Sequence, residues 1–267
     1  MQKSLNTQLN FIRSNSHMKP RVTYSGTNEG QQYNEAYKFF DVAIENARFK
    51  EKKFTLNEHG FELIEHHLTD TNFENNAWIS EAFYSEIKNI VAKASGASEV
   101  FVFDHTIRRG TDNSKRRPAQ HVHVDYTHTT AASRAAVIID ENRLERFKGK
   151  RFIQVNFWCS IKGPVEQLPL AFLDSQSLDE NDLVKADIEF KNPDHLGEIY
   201  ALKYNPNQKW FYYADMQPQE ALLIKGYDTN QHAISKFTPH SAFIDPTSKR
   251  GTAPRQSIEV RTFAFFD

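Results

Sequence analysis

Three histidines and one carboxylate fall within the nine residues Gln120-His121-Val122-His123-Val124-Asp125-Tyr126-Thr127-His128. The interleaved valines predict a strand. Alternate side chains of a strand share a face, so His123 and Asp125 point the same way, one pleat repeat apart. An imidazole and a carboxylate placed like this can both reach one cation. A third ligand from elsewhere would complete the two-histidine, one-carboxylate set that leaves iron with open positions for a cosubstrate and oxygen. Histidines at strand ends also hydrogen-bond to neighbouring loops without any metal. The stretch alone therefore places metal binding only modestly ahead of a structural role.

The candidates for a third ligand are His195, His232 and His240. His195, in Asn192-Pro193-Asp194-His195-Leu196-Gly197, reads as a turn residue before a strand. His232, in Asp228-Thr229-Asn230-Gln231-His232-Ala233, is a competitor. His240 is preferred because the run Arg255-Gln256-Ser257-Ile258-Glu259-Val260-Arg261 lies downstream of it. On that strand Arg255, Ser257, Glu259 and Arg261 share one face, and arginines among aromatics need partners. Glu259 is one possible partner. Another is a bound carboxylate, gripped by a guanidinium fork with the serine hydroxyl as a further donor. His66 and His67 are expected in a loop or at the surface, with no spacing that links them to the opening motif.

The chain has 267 residues, enough for one large β-rich domain. Lys and Arg number 33 against 34 Asp and Glu, a formal charge of −1 that points to neither nucleic acid nor an anionic membrane as partner. The one cysteine, Cys159, cannot form an internal disulfide and suits a reducing compartment. Residues Met1 to Pro20 lack the apolar run of a signal peptide, and no stretch approaches the ~20 apolar residues of a membrane span. A cytoplasmic protein is expected. The 21 phenylalanines and 10 tyrosines favour a packed sheet over a helical bundle.

The elements that must position the motif emerge from periodicity. Met1 to Lys19 look uncommitted, Val22-Thr23-Tyr24 with Gly26-Thr27-Asn28 reads as a short strand and turn, and Arg48 to Lys53 as a solvated charged face. Apolar residues at three- and four-residue steps predict a helix over Asn76 to Ala94, stopped at Gly96. Ser98 to Asp104 reads as a buried strand, and Arg108, Arg109, Lys115, Arg116 and Arg117 as a basic loop near enough to the motif to meet an anionic substrate. Ala131 to Asn142 is a candidate helix. Strands are then expected at Phe152–Trp158, Pro169–Asp174, Gly197–Leu202, Trp210–Tyr213, Ala221–Tyr227 and Ser257–Phe266, separated by proline-bearing turns in the manner of a sandwich or barrel.

His123-Val-Asp125, the distal His240, and Arg255-Gln-Ser257 fifteen residues later resemble the iron and 2-oxoglutarate motif set of the double-stranded β-helix oxygenases. Further blocks narrow the likeness: Leu56-Asn-Glu-His-Gly60-Phe61, Val102-Phe-Asp-His-Thr106, Asn156-Phe-Trp158, Pro169-Leu-Ala-Phe-Leu-Asp174, Glu220-Ala-Leu-Leu223 with Tyr227-Asp228, and Ser257-Ile-Glu-Val-Arg261. They are similar to the family containing the cephamycin hydroxylase component, a fungal endoperoxide-forming oxygenase and gibberellin desaturase-like proteins. The resemblance runs from about Thr55 to the C-terminus.

It implies a mainly β fold, a double-stranded β-helix (jelly-roll, cupin-like) core with flanking N-terminal helices. The whole of 1–267 would be one oxygenase domain, with a variable extension at 1–54, helical support at 55–98 and the jelly-roll core at 99–267. It also implies Fe(II) held by His123, Asp125 and His240. The cosubstrate 2-oxoglutarate would be held by Arg255 and Ser257 with Arg261 as helper, and O2 would complete the set. A small metabolite, as in secondary metabolism, would be hydroxylated or desaturated, and the oligomeric state is left open. One departure is Cys159-Ser160, where the family usually has arginine and proline. His121 is read as supporting His123, and His128 as meeting substrate beside the Arg116 and Arg117 loop. Two alternatives stand: a cupin-type dioxygenase using His121, His123 and a later histidine, and a non-catalytic β-sandwich binding module.

Overall fold

The computed structural model describes residues 2–24, 31–66, 72–111, 116–191 and 194–267. Along the chain it forms β1 (Ser4–Ile12), β2 (Arg21–Tyr24), β3 (Gln31–Tyr33), β4 (Tyr37–Asn46) and β5 (Phe61–Glu65). A helical run comes next, α1 (Asn76–Trp78), a π-helical stretch (Ile79–Phe83) and α2 (Tyr84–Ser95). Then come β6 (Glu99–Arg109), β7 (His123–Val124), α3 (His128–Glu141), β8 (Phe152–Ser160) and β9 (Leu170–Leu173). The last six are β10 (Leu183–Phe190), β11 (His195–Leu202), β12 (Trp210–Tyr212), β13 (Glu220–Asp228), β14 (His240–Ala242) and β15 (Gln256–Phe265).

Among the described residues these strands make a ten-stranded sheet, β1-β4-β12-β9-β14-β7-β11-β10-β2-β3, and a five-stranded sheet, β5-β13-β8-β15-β6. Their inner faces pack on each other: Trp158 and Leu222 of the small sheet meet Phe172 and Phe211 of the large one. Ile79, Phe83, Ile87 and Val91 of the helical run cover the outer face of the small sheet. Every residue of β8 is buried because the strand is covered on both sides. Val155, Phe157 and Cys159 turn toward the helices, which leaves Gln154, Asn156 and Trp158 on the inner face. A register shift beside Arg261, opposite Phe103, changes which residues of β6 face inward. Val100 and Val102 meet the helices, while Asp104, Thr106 and Arg108 lie across from Arg261, Glu259 and Ser257.

The two-sheet jelly roll, the helix stopped at Gly96 in a left-handed conformation, and the helix after the histidine motif match the sequence expectations. The N-terminal segment does not. Ser4–Ile12 pairs with β4 along its whole length, so these residues form one edge of the large sheet instead of an uncommitted extension. The reason is visible in retrospect: Leu5, Leu9 and Phe11 recur at even spacing, and their side chains join the core with Val42 and Ile44. The solvated-face reading holds for Lys50, Lys52 and Lys53, whereas Arg48 turns inward to Glu220 and the carbonyl of Ala214. The 55–98 segment is not purely helical either, since β5 adds to the small sheet. His66 is buried beside Phe157 instead of lying at the surface. The turn expected at Gly26-Thr27-Asn28, His67 and Lys115 lie outside the described residues.

Candidate metal centre

His123 and His240 stand directly opposite each other in the antiparallel pairing of β7 with β14. Their ring centroids are 4.6 Å apart. Asp125 comes just after β7 ends, in the bend before Thr127, whose side chain caps α3. Among the described residues the ligand atoms of His123, Asp125 and His240 all lie within 4.8 Å of one another. His240 arrives from far along the chain as expected, but Asp125 joins His123 from the bend after β7 and not from a pleat position of the same strand.

Tautomers and partners suit a cation. Nδ1 of His123 donates to the carbonyl of His121 at 2.8 Å, and Nδ1 of His240 to the carbonyl of Thr238 at 3.1 Å. A carbonyl can only accept, so each ring keeps its proton on Nδ1 and turns a bare Nε2 toward the centre. Nε2 of His123 faces Oδ1 of Asp125 at 3.3 Å. Two lone-pair-bearing atoms at that distance repel unless a cation lies between them, and neighbouring ligands at bonds of about 2.1 Å would be roughly 3 Å apart. The donor set therefore fits a divalent ion with nitrogen and carboxylate ligands.

The second oxygen of Asp125 is held from the small sheet. Nδ2 of Asn156 donates to Oδ2 at 2.7 Å, and Nε of Arg261 approaches it at 3.4 Å. Asn156 is itself fixed by Nε2 of Gln154, which donates to its Oδ1 at 2.6 Å. Burial alone would push the Asp125 carboxyl up, but its charged neighbours, Arg261 among them, hold it well below the ordinary carboxylate range. Burial, and next the neighbouring His123, push His240 down, which keeps it neutral and able to ligate.

Beside this group a narrow cavity is lined by His123, His240, Trp158, Arg108, Arg255 and Glu259. Arg255 is 3% exposed and Ser257 1%. The Arg255 guanidinium lies over the Trp158 ring at 5.3 Å and donates through Nη1 to the carbonyl of Leu168. Among the described residues its Nε and the Ser257 hydroxyl have no partner. Buried donors without acceptors cost about 1–3 kcal/mol each, so these two indicate an anionic ligand. Burial, then the positive charge of Arg108, push the Arg255 guanidinium down to about 9. An anion at this spot would relieve both.

Several sequence expectations are relocated. Arg261 turns to the Asp125 end, donating to Asp104 at 3.0 Å, to Thr106 at 2.9 Å and to Glu259. These contacts support Asp125, and the one to Glu259 reaches a residue that lines the cavity beside Arg255. His121 stacks on His123 with centroids 4.4 Å apart and is packed by Tyr33 and Tyr37. His128 is the first residue of α3 and sits among Tyr200, Tyr227 and Phe237. Arg108 and Arg116 line the cleft over the metal group, but Arg108 and Arg109 belong to the end of β6, paired with β15, and not to a loop. Arg109 pairs outward with Glu74. Cys159 belongs to the helix-facing cluster, and burial pushes its thiol up, so it is a small apolar side chain away from the centre. Asn156 carried no assigned role; the available signal was polar Gln154 and Asn156 at period two inside an otherwise apolar run.

The family described as the oxidoreductase/YMDC permease-like domain matches residues 9–265. The hydroxylase/desaturase asaB of Aspergillus flavus is 35% identical over 156 residues, which cover 52% of this chain and 68% of that protein. The Fe(II)/2-oxoglutarate-dependent dioxygenase nvfI of Aspergillus novofumigatus is 26% identical over 271 residues, 97% of this chain and 96% of the relative. A solved structure of the iron and alpha-ketoglutarate-dependent endoperoxidase NvfI superimposes with a TM-score of 0.85 at 23% identity, covering 99% of this chain and 98% of that one. That likeness carries the fold.

Proposed function

This chain belongs to the oxidoreductase/YMDC permease-like family, and on that footing we propose that it hydroxylates or desaturates a small metabolite at the group His123, Asp125 and His240. It is an Fe(II)/2-oxoglutarate-dependent dioxygenase, coupling oxidation of an organic substrate to conversion of 2-oxoglutarate and O2 to succinate and CO2. The observation that carries the site assignment is the convergence of two bare Nε2 atoms and one carboxylate oxygen beside the unpartnered donors of Arg255 and Ser257.

Iron, when bound with 2-oxoglutarate, supplies the oxidising chemistry. The chain supplies position. The carbonyls of His121 and Thr238 keep Nδ1 protonated on both imidazoles, so that Nε2 ligates. Asn156 and Arg261 hold Oδ2 of Asp125, which directs Oδ1 inward. Arg255 and Ser257 take the distal carboxylate of the cosubstrate, with the Trp158 ring as the wall behind the guanidinium. A ligand set built on His121 in place of Asp125 is disfavoured, because the His121 ring stacks on His123 and does not converge with it. A cytoplasmic setting is part of the proposal, supported by a buried Cys159 with no partner for a disulfide.

The test is succinate formation. Protein supplied with Fe(II), 2-oxoglutarate and air is expected to form succinate slowly alone and faster with a matching metabolite from a screen. Iron-loaded protein that forms no succinate above a protein-free control, with or without the screen, contradicts the proposal.

A further inference from the structure

The metal group lies in the floor of a cleft of about 810 Å³ that Asp125 and His123 help to line. One side is apolar and comes from the large sheet: Tyr24 of β2, Ile188 and Phe190 of β10, and Leu196 and Ile199 of β11. Leu196 is 62% exposed, a large apolar side chain left open to the cleft. Another side brings guanidinium groups, Arg108 from β6 and Arg134 from α3.

Four carboxylates also line this cleft, and each already meets a cation. Asp104 and Asp125 meet Arg261 at 3.0 and 3.4 Å, Asp187 meets Lys19 and, at 3.6 Å, Arg21, and Glu198 meets Lys185 at 3.2 Å. Arg108 and Arg134 are different. Arg108 donates one Nη to the carbonyl of Arg117 at 3.0 Å, and Arg134 lies over the Phe103 ring at 4.9 Å. Among the described residues neither meets a carboxylate. The charge of Arg108 also adds to burial in pushing down Arg116 and Arg255. Positive charge that repels its own neighbours favours an anionic ligand. A cosubstrate carboxylate at Arg255 would answer the inner part of this field, but Arg134 lines only the outer cleft.

Resting on the oxygenase reading above, we propose that the substrate is an amphipathic carboxylic acid. Its apolar body lies against Ile188, Phe190 and Leu196, and its carboxylate is directed to the Arg108 and Arg134 side. A neutral polyketide-like or terpenoid skeleton without an acid group would leave both guanidinium groups without an anion. Arg134 is thereby a specificity-determining residue, since it stands apart from the residues that hold metal and cosubstrate.

Dansylglycine and its methyl ester differ in the carboxylate and share the fluorescent apolar body. Each is titrated anaerobically into the full-length protein loaded with Fe(II) and 2-oxoglutarate. The acid is expected to bind about tenfold tighter than the ester, as a charge-assisted hydrogen bond implies. Arg134→Met should narrow that ratio several-fold and Arg134→Glu should invert it, with thermal melts checking that both variants fold. Equal affinity of acid and ester, or a ratio that Arg134→Glu leaves intact, overturns the inference. The charge-transfer band of iron with 2-oxoglutarate reports separately on the oxygenase reading: a band without acid preference sinks only this inference, and acid preference without a band sinks only that reading.

Discussion

Replacing Asn156 by alanine separates the orientation of Asp125 from ligation itself. Asn156 donates to Oδ2 of Asp125 at 2.7 Å, against 3.4 Å for Nε of Arg261, so it is the tighter of the two restraints on that oxygen. Removing a partner that orients a metal ligand lowers metal affinity about 10–100-fold, which corresponds to about 1.4–2.7 kcal/mol. Arg261 remains in the variant, so the loss should fall near the tenfold end. The same change deprives the fully buried Gln154 amide of the acceptor it reaches at 2.6 Å. That orphan costs stability about 1–3 kcal/mol by itself. Urea unfolding of the metal-free proteins measures the stability term, and anaerobic equilibrium dialysis with Fe(II), or with Co(II) as a visible substitute, measures the affinity term. A folded Asn156→Ala protein that binds metal as tightly as the parent would refute the idea that this amide orients the ligand. A variant as inert as Asp125→Ala would equally refute it, because orientation alone cannot remove a ligand.

Two further predictions concern the scaffold. Arg48 clasps Glu220 through both oxygens, at 2.8 and 2.6 Å, and its Nε donates to the carbonyl of Ala214, tying the end of β4 to the start of β13. Burial alone would push the Glu220 carboxyl up, but the hydrogen bonds from Arg48 hold it below its ordinary 4.5. A depressed folded value means that the stabilisation is present above 4.5 and fades as pH falls through that lower value. Glu220→Gln should therefore lose about 1–3 kcal/mol at neutral pH, with the gap to the parent closing in acid; a gap that widens in acid contradicts this sign. Cys159→Ala should lower stability by about 1–2 kcal/mol through a small cavity against the helices, while succinate formation per folded molecule stays at the parental level. A large fall in that rate would show that Cys159 reaches the centre after all.

Much of the site was legible because its residues are polar types set into apolar strands. Arg255, Ser257, Glu259 and Arg261 alternate with Ile258 and Val260, and the structure keeps that alternation, charged side inward and aliphatic side toward the helices. His123 and Asp125 needed only a strand of two residues and a bend to share a direction. What sequence could not disclose was strand adjacency. His240 meets His123 because β14 and β7 are neighbours in the sheet, a long-range pairing with no local signal. The first strand was hidden for a different reason: β1 is rich in Asn and Gln, and its alternating Leu5, Leu9 and Phe11 looked sparse without the partner strand β4. The contacts of Arg261 with Asp125 and Asp104 were not legible, because a shared strand face does not say which end of a cavity a long side chain serves.

Whether His123, Asp125, His240, Arg255 and Ser257 hold iron and 2-oxoglutarate together can be read from one spectrum. Anaerobic addition of Fe(II) and 2-oxoglutarate should produce a weak visible charge-transfer band, which Asp125→Ala abolishes and Arg255→Met shifts to higher 2-oxoglutarate concentration. Absence of the band in intact, iron-loaded protein, or a band that survives Asp125→Ala, would contradict it.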